Sequence, residues 1–214
     1  MSKKRIASFD VDQTLLDHKT YQIPESALRA VNELRKDFYI VLSTGRDMDN
    51  YYSKQYRDVI QPDAVIHLNG TKITVGGELI YEHEMDRTLL KEILDYADKA
   101  GYALGVTIGN EDYYLHPEVV EETDRLRWGR SERRFKDPRS LLDQGVRTLA
   151  YIGKEDGAID MEKRFPQLKF LMFAGRLGAD VVEREASKAK GLLRLCQYYG
   201  TTPEDAVAFG DSMN

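Results

Sequence analysis

The chain has 214 residues, of which 31 are basic and 36 acidic, and the formal charge of -5 argues against wholesale nucleic-acid binding. A single cysteine, Cys196, excludes an internal disulfide and fits a reducing compartment, and its apolar helical surroundings give it a packing role. No apolar run approaches the roughly 18 residues of a membrane span, and too few apolar residues follow Lys3-Lys4-Arg5 for a secretory signal, so the expected location is cytoplasmic.

An apolar strand, Arg5-Ile6-Ala7-Ser8-Phe9, runs out at Asp10-Val11-Asp12-Gln13-Thr14-Leu15. On a strand, residues two apart face the same side, so Asp10 and Asp12 are expected to point together toward one spot. Two adjacent anions then need a cation between them, and Mg²⁺ with a phosphate is the common solution. A helix opens at Pro24 and runs through Ala27, Leu28, Val31 and Leu34. Next comes a strand from Tyr39 to Leu42, a helix around Tyr51 to Tyr56, and a strand from Ala64 to Leu68 ending at Asn69-Gly70. This βαβ alternation implies a parallel sheet covered by helices. Gly76-Gly77 marks a hairpin between Thr71–Val75 and Glu78–Tyr81.

From about Glu82 the style changes. A helix with Leu89, Leu90, Ile93, Leu94 and Ala97 leads into Tyr102–Ile108 and Tyr113–Leu115, separated by Gly109-Asn110. Strands Val146–Ile152 and Leu168–Phe173 flank a short helix, Ala158–Phe165, and Val181-Val182 closes the section. The last stretch, with a helix Lys188–Tyr199, a turn at Pro203 and a strand Ala206–Phe209, returns to the first style. The organisation predicted is a discontinuous core, 1–81 plus 183–214, interrupted by a module at 82–182.

Three further signals fall where open parallel sheets place ligands, outside the carboxyl ends of strands. Leu42-Ser43-Thr44-Gly45-Arg46 offers a hydroxyl beside a glycine whose N–H can approach an anion. Ser187-Lys188 sets an ammonium at a helix start, where phosphate meets both charge and N–H donors, with Lys190 as a competitor. Phe209-Gly210-Asp211-Ser212-Met213-Asn214 adds a third acid. Singly, each is as well explained by a surface turn; jointly they make the set for phosphoryl transfer through an aspartate.

The order DxDxT, S/T-G-R, Lys, GDxxN resembles the haloacid-dehalogenase-like phosphatases, and the inserted module resembles the α/β cap of their Cof-type (class IIB) subfamily. The resemblance covers nearly the whole chain. It implies an α/β fold: a Rossmannoid parallel-sheet core with an inserted α+β cap. It also implies Asp10 as nucleophile, Asp12 as general acid and base, and Mg²⁺ held by the Asp10 side chain, the Asp12 backbone carbonyl and Asp211. Thr44, the Gly45 amide and Lys188 would hold the phosphoryl oxygens, with Ser43 able to replace Thr44 if the strand ends one residue earlier. Thr14 would bond its loop and help fix Asp12, and Asn214 would reach the phosphate. Arg46 would contact substrate or cap, or pair with Asp47 or Asp49.

Two departures stand out. Position 13 is Gln where the family generally has Gly, so this backbone avoids positive φ or Gln13 bears local strain. The fourth motif usually continues with an Asp after the Asn, and the strands and helices that complete such a core do not follow Asn214; the expectation is a shortened core with weakened metal affinity. The basic, aromatic-interleaved run Arg125–Lys136 reads as a solvated helix and loop balanced by Glu118, Glu121 and Glu122, with a phospholigand or RNA surface as the alternative. The four histidines show no metal-ligand spacing and receive no role.

The expected function is an Mg²⁺-dependent phosphatase acting on a small phosphorylated metabolite, a sugar phosphate or phosphorylated cofactor, without nucleic-acid or membrane partners. A catalytically silent phospholigand-binding protein and a phosphomutase are the alternatives. A receiver domain fails because its phosphorylated Asp sits on a different strand from its paired acids, and a P-loop kinase fails for want of GxxxxGK[ST].

Overall fold

The structure, a computed structural model, describes residues 4–173 and 175–211. In chain order the elements are β1 (Arg5–Phe9), α1 (Glu25–Leu34), β2 (Phe38–Ser43), α2 (Lys54–Ile60), β3 (Ala64–His67), β4 (Lys72–Val75) and β5 (Glu78–Glu82). There follow α3 (Arg87–Ala100), β6 (Ala103–Ile108), β7 (Glu111–Tyr114), α4 (Pro117–Trp128), β8 (Phe135–Lys136), β9 (Leu149–Ile152), α5 (Glu155–Arg164), β10 (Leu168–Met172) and β11 (Gly178–Glu183). The chain closes with α6 (Lys188–Tyr199) and β12 (Ala206–Phe209). They form two compact units, 1–83 with 186–214, and 84–185. These limits lie a few residues beyond those predicted, because β5 and β11 each run on to a glutamate, Glu82 and Glu183.

The first unit is built on a sheet of order β12-β1-β2-β3-β4-β5. β12, β1, β2 and β3 are parallel, whereas β4 and β5 are antiparallel additions. Strands buried on both faces read as unbroken apolar runs, and alternate residues sort between two cores. Ala7, Phe9, Ile40, Leu42 and Val65 face one core, with Val31 of α1 and Ile60 of α2. Ile6, Val41, Ala64 and Ile66 face the other, with Leu195 and Cys196 of α6. Cys196 is accordingly buried packing. Gly76 and Gly77, at φ 56° and 87°, close the two-residue β4–β5 turn.

Asn69-Gly70 lies in the four-residue connection that joins β3 to antiparallel β4. Leu68, Asn69 and Gly70 have successive φ values of 49°, 56° and 99° in a tight 3₁₀ turn, conformations that L residues adopt only at a cost. A Cβ on Gly70 would lie 2.2 Å from the Ser187 carbonyl oxygen, and one on Gly191 would lie 2.7 Å from the Ile66 side chain. Both glycines let the start of α6 close onto the end of β3.

The second unit carries a mixed sheet of order β10-β11-β9-β6-β7-β8, in which only the β7–β8 pair is parallel. Leu90, Ile93, Leu94 and Ala97 of α3 and Met161 of α5 bury one face of it. Asp86 caps α3 by accepting the Thr88 and Leu89 N–H groups, and Gly101, at φ 75°, ends it. The basic run is mixed in character. Arg125 pairs with Glu121 and Glu122 on α4 and Arg130 with Glu132, all solvated. Arg133 instead turns inward to bind Asp112 at 3.0 Å and Asp124 at 2.9 Å, both nearly buried. Thr107 and the Arg134 N–H complete Asp112, and Ser131 completes Asp124.

Candidate active site

Asp10 follows the last residue of β1, and its N–H donates to the Phe209 carbonyl at 2.9 Å, so it sits beyond the carboxyl ends of β1 and β12. Its carboxylate accepts the Val11 N–H at 2.8 Å, and the Lys188 ammonium lies 3.2 Å away. Both side chains are largely buried, at 14% and 12% exposure. Burial pushes the Asp10 carboxyl above its usual range, outweighing Lys188 and the Val11 N–H, with Asp12 adding repulsion.

Asp12 departs from expectation. β1 stops at Phe9, and the Val11 carbonyl accepts from Thr14, Leu15 and Leu16, curling the chain so that the two-residue period of a strand no longer applies. The Asp12 carboxylate sits in a fork: Arg46 Nε donates to Oδ2 and Arg46 Nη2 to Oδ1, each at 2.7 Å. His18 Nε2 adds a bond to Oδ1 at 2.7 Å. Burial alone would raise the Asp12 pKa, but Arg46 and His18 overcome it and hold the carboxyl below its usual range. Asp12 is also the partner that Arg46 takes, rather than Asp47 or Asp49. His18, given no role from sequence, belongs to the site. Its six-residue distance from Asp12 carries no recognisable signal, because the contact depends on a loop closed by the Asp17–Gln22 bridge.

The Thr44-Gly45-Arg46 loop leaves β2 and is fixed from three sides. Thr44 N–H donates to Ile66, the Asn69 N–H to Thr44, and the Leu68 N–H to Arg46. The strained 68–70 turn thus carries the loop that presents Arg46. Ser43 is the last residue of β2 and Thr44 lies just outside it, fully buried, its hydroxyl accepting the Arg46 N–H at 3.1 Å.

The helix phase of α6 separates the two lysines. Ser187 caps the helix by accepting the Lys190 N–H at 3.0 Å, and Lys188 turns to Asp10 while Lys190 is exposed. Asp211 follows β12 and is exposed. Asn214 lies outside the described residues. Thr14 does not bond its loop through its side chain: the hydroxyl is buried without a hydrogen-bond partner among the described residues. Gln13 has φ 60°, so it does adopt the left-handed conformation in which the family generally has Gly, and the strained alternative is the one realised.

A hard divalent cation fits here. Asp10, the Asp12 carbonyl and Asp211 supply oxygen donors only, the donor type that such a cation takes. A second cluster, Asp47, Asp49 and His67, has ligand atoms within 4.8 Å of one another, yet a side-chain cation fills it. Lys72 Nζ lies 3.1 Å from Asp47 and 2.7 Å from Asp49. The Met48 N–H donates to His67 Nδ1 at 3.0 Å, so the ring hydrogen resides on Nε2, facing Thr74. Burial works to raise the Asp47 pKa, but its polar contacts hold it well below the usual range. His67 Nδ1, 3.3 Å away, has no hydrogen to give it, which leaves Lys72 and the Asp49 N–H as the cause.

The family model for haloacid dehalogenase-like hydrolases matches residues 7–214. The chain belongs to that family. It is 23% identical over its whole length to the 5-amino-6-(5-phospho-D-ribitylamino)uracil phosphatase YitU of Bacillus subtilis (strain 168), covering 82% of that protein. To the HMP-PP phosphatase of Enterobacter sp. (strain 638) it is 24% identical, over 98% of this chain and 78% of the other. Among solved structures, a haloalkanoate-superfamily phosphatase from Bacteroides thetaiotaomicron matches with a TM-score of 0.84 at 22% identity, over 96% of this chain and 76% of that one. The parallel-sheet α/β architecture is therefore the family's own. No helix among the described residues is long and apolar enough to cross a membrane.

Proposed function

We propose that the chain is an Mg²⁺-dependent phosphatase of small phosphorylated metabolites, working through an aspartyl-phosphate on Asp10. The observation that carries this is the largely buried Asp10–Lys188 pair, a carboxylate and an ammonium far apart in sequence brought within 3.2 Å at the carboxyl edge of a parallel sheet. Lys188 and the Thr44-Gly45 loop bind the phosphoryl oxygens, where transition-state charge spreads. Asp10 attacks phosphorus, and Asp12 gives a proton to the leaving oxygen, then takes one from water. Mg²⁺, held by Asp10, the Asp12 carbonyl and Asp211, supplies charge neutralisation between the carboxylate and the phosphate.

The Arg46 fork holds Asp12 ionised, the form that the hydrolytic half of the reaction needs. An arriving phosphoryl dianion offsets the guanidinium and lets Asp12 take the proton that the first half needs. The relatives, a 5-amino-6-(5-phospho-D-ribitylamino)uracil phosphatase and an HMP-PP phosphatase, support the substrate class. The test is phosphate release from p-nitrophenyl phosphate and from a panel of phosphorylated metabolites with Mg²⁺. Turnover abolished by Asp10→Asn is the expected result; turnover indifferent to that change overturns the reading.

A further inference from the structure

We infer that His18 is a positioning residue for Asp12: by filling Oδ1 it confines proton transfer to Oδ2. The inference rests on the phosphatase reading and deepens it. A carboxylate oxygen offers two lone pairs. On Oδ1 one is taken by Arg46 Nη2 and the other by His18 Nε2, each at 2.7 Å. Oδ2 accepts a single hydrogen bond among the described residues, from Arg46 Nε, which leaves one lone pair for chemistry. Because an ionised carboxylate only accepts, the bonded His18 nitrogen carries the hydrogen. Without His18 the two oxygens have equal standing on the Arg46 fork, and the proton divides between a productive and an unproductive site.

The turn under His18 is made to hold it. Asp17 N–H bonds the Gln22 carbonyl and Tyr21 N–H bonds the Asp17 carbonyl. The Asp17 carboxylate accepts the Lys19 N–H at 2.8 Å and the Thr20 hydroxyl at 3.3 Å. Tyr21, at φ 52°, turns back so that its ring stacks on the His18 imidazole, 6.0 Å between centroids and 16° between planes. A 41% exposed side chain fixed by a turn and a stacked ring has little to do for the core.

Atoms and charges balance along this route. The Oδ2 proton passes to the leaving oxygen as its bond to phosphorus breaks and an Asp10 oxygen bonds phosphorus. Water then bonds phosphorus, giving one proton back to Oδ2, while the Asp10 oxygen–phosphorus bond breaks and releases phosphate.

General-acid assistance matters most when the leaving oxygen is basic, which sets the test. The full chain with Mg²⁺ is assayed on phenyl phosphate, whose leaving group needs a proton, and on p-nitrophenyl phosphate, whose leaving group departs readily as an anion. His18→Ala is expected to lower kcat/KM on phenyl phosphate by about tenfold or more and on p-nitrophenyl phosphate by less than about threefold. His18→Gln, whose amide N–H can reach the place of Nε2, restores phenyl phosphate turnover. Equal losses on both substrates, no loss on either, or no rescue by Gln overturns the inference. Asp10-dependent activity that ignores His18 sinks this inference alone, whereas activity that survives Asp10→Asn, or an inactive native chain, sinks the phosphatase reading with it.

Discussion

Each unit buries a cluster of acids with an arginine, and the two clusters differ in how completely they are satisfied. In the second unit Asp112 and Asp124 share Arg133, and Thr107, Ser131 and a backbone N–H occupy further acceptor sites. In the first, Asp10 has Lys188 and one N–H, yet burial still wins and raises its pKa. A closed network holds a fold together. The sparser pair at the sheet edge is the one to which we assign the chemistry.

That contrast can be broken by exchanging the roles. Asp10→Asn should cost on the order of 10⁴-fold in kcat. Its unfolding free energy should stay within about 1 kcal/mol of the parent, because the amide oxygen still accepts from Val11 and Lys188. Arg133→Met should do the reverse, destabilising by roughly 3–5 kcal/mol in urea titrations because two buried carboxylates lose their shared cation. The molecules that remain folded should keep their kcat. If Arg133→Met instead lowers kcat without lowering stability, the two clusters are not the opposites described.

Gly70→Ala sharpens the comparison from the side of the scaffold. The added Cβ meets the Ser187 carbonyl, and the residue must hold φ 99°, so a loss of about 2 kcal/mol is expected, together with a fall in kcat as Lys188 and the Arg46 loop shift apart. The smallest effect should come from Asp47→Asn. Because the folded Asp47 pKa lies below the ordinary value of 3.8, its contribution is present in full above that pH and fades as the pH falls through the folded value. A stability gap of about 1 kcal/mol between parent and variant at pH 7 should therefore close on acidification. A gap that widens in acid contradicts the assignment.

The alternation of strands and helices was legible because apolar periodicity reports burial, and Ile6, Ala7, Val41 and Leu42 sort between two cores as alternate strand residues do. Asp10 and Lys188 were legible as polar groups placed where apolar elements end. The direction of Asp12 is not legible from a strand's period, because β1 ends at Phe9 and the Val11 carbonyl gathers three N–H groups and bends the chain. His18 and the inward turn of Arg133 were invisible for another reason. Each depends on partners, Asp12 in one case and Asp112 with Asp124 in the other, that only loop closure brings near. Lys188 and Lys190 were separable only once Ser187 was seen to cap α6 and set its rotation.

The pairing of β12 with β1 joins the last described strand to the first. Contacts so remote in sequence carry a large loop-closure entropy and form late during folding. As the ribosome releases the chain, β1 must wait beside β2 with its other edge uncovered until α6 and β12 have been made. Asp10 therefore acquires Lys188 only after the 84–185 unit and the start of α6 have been made, and a nascent chain short of α6 holds Asp10 without its ammonium partner.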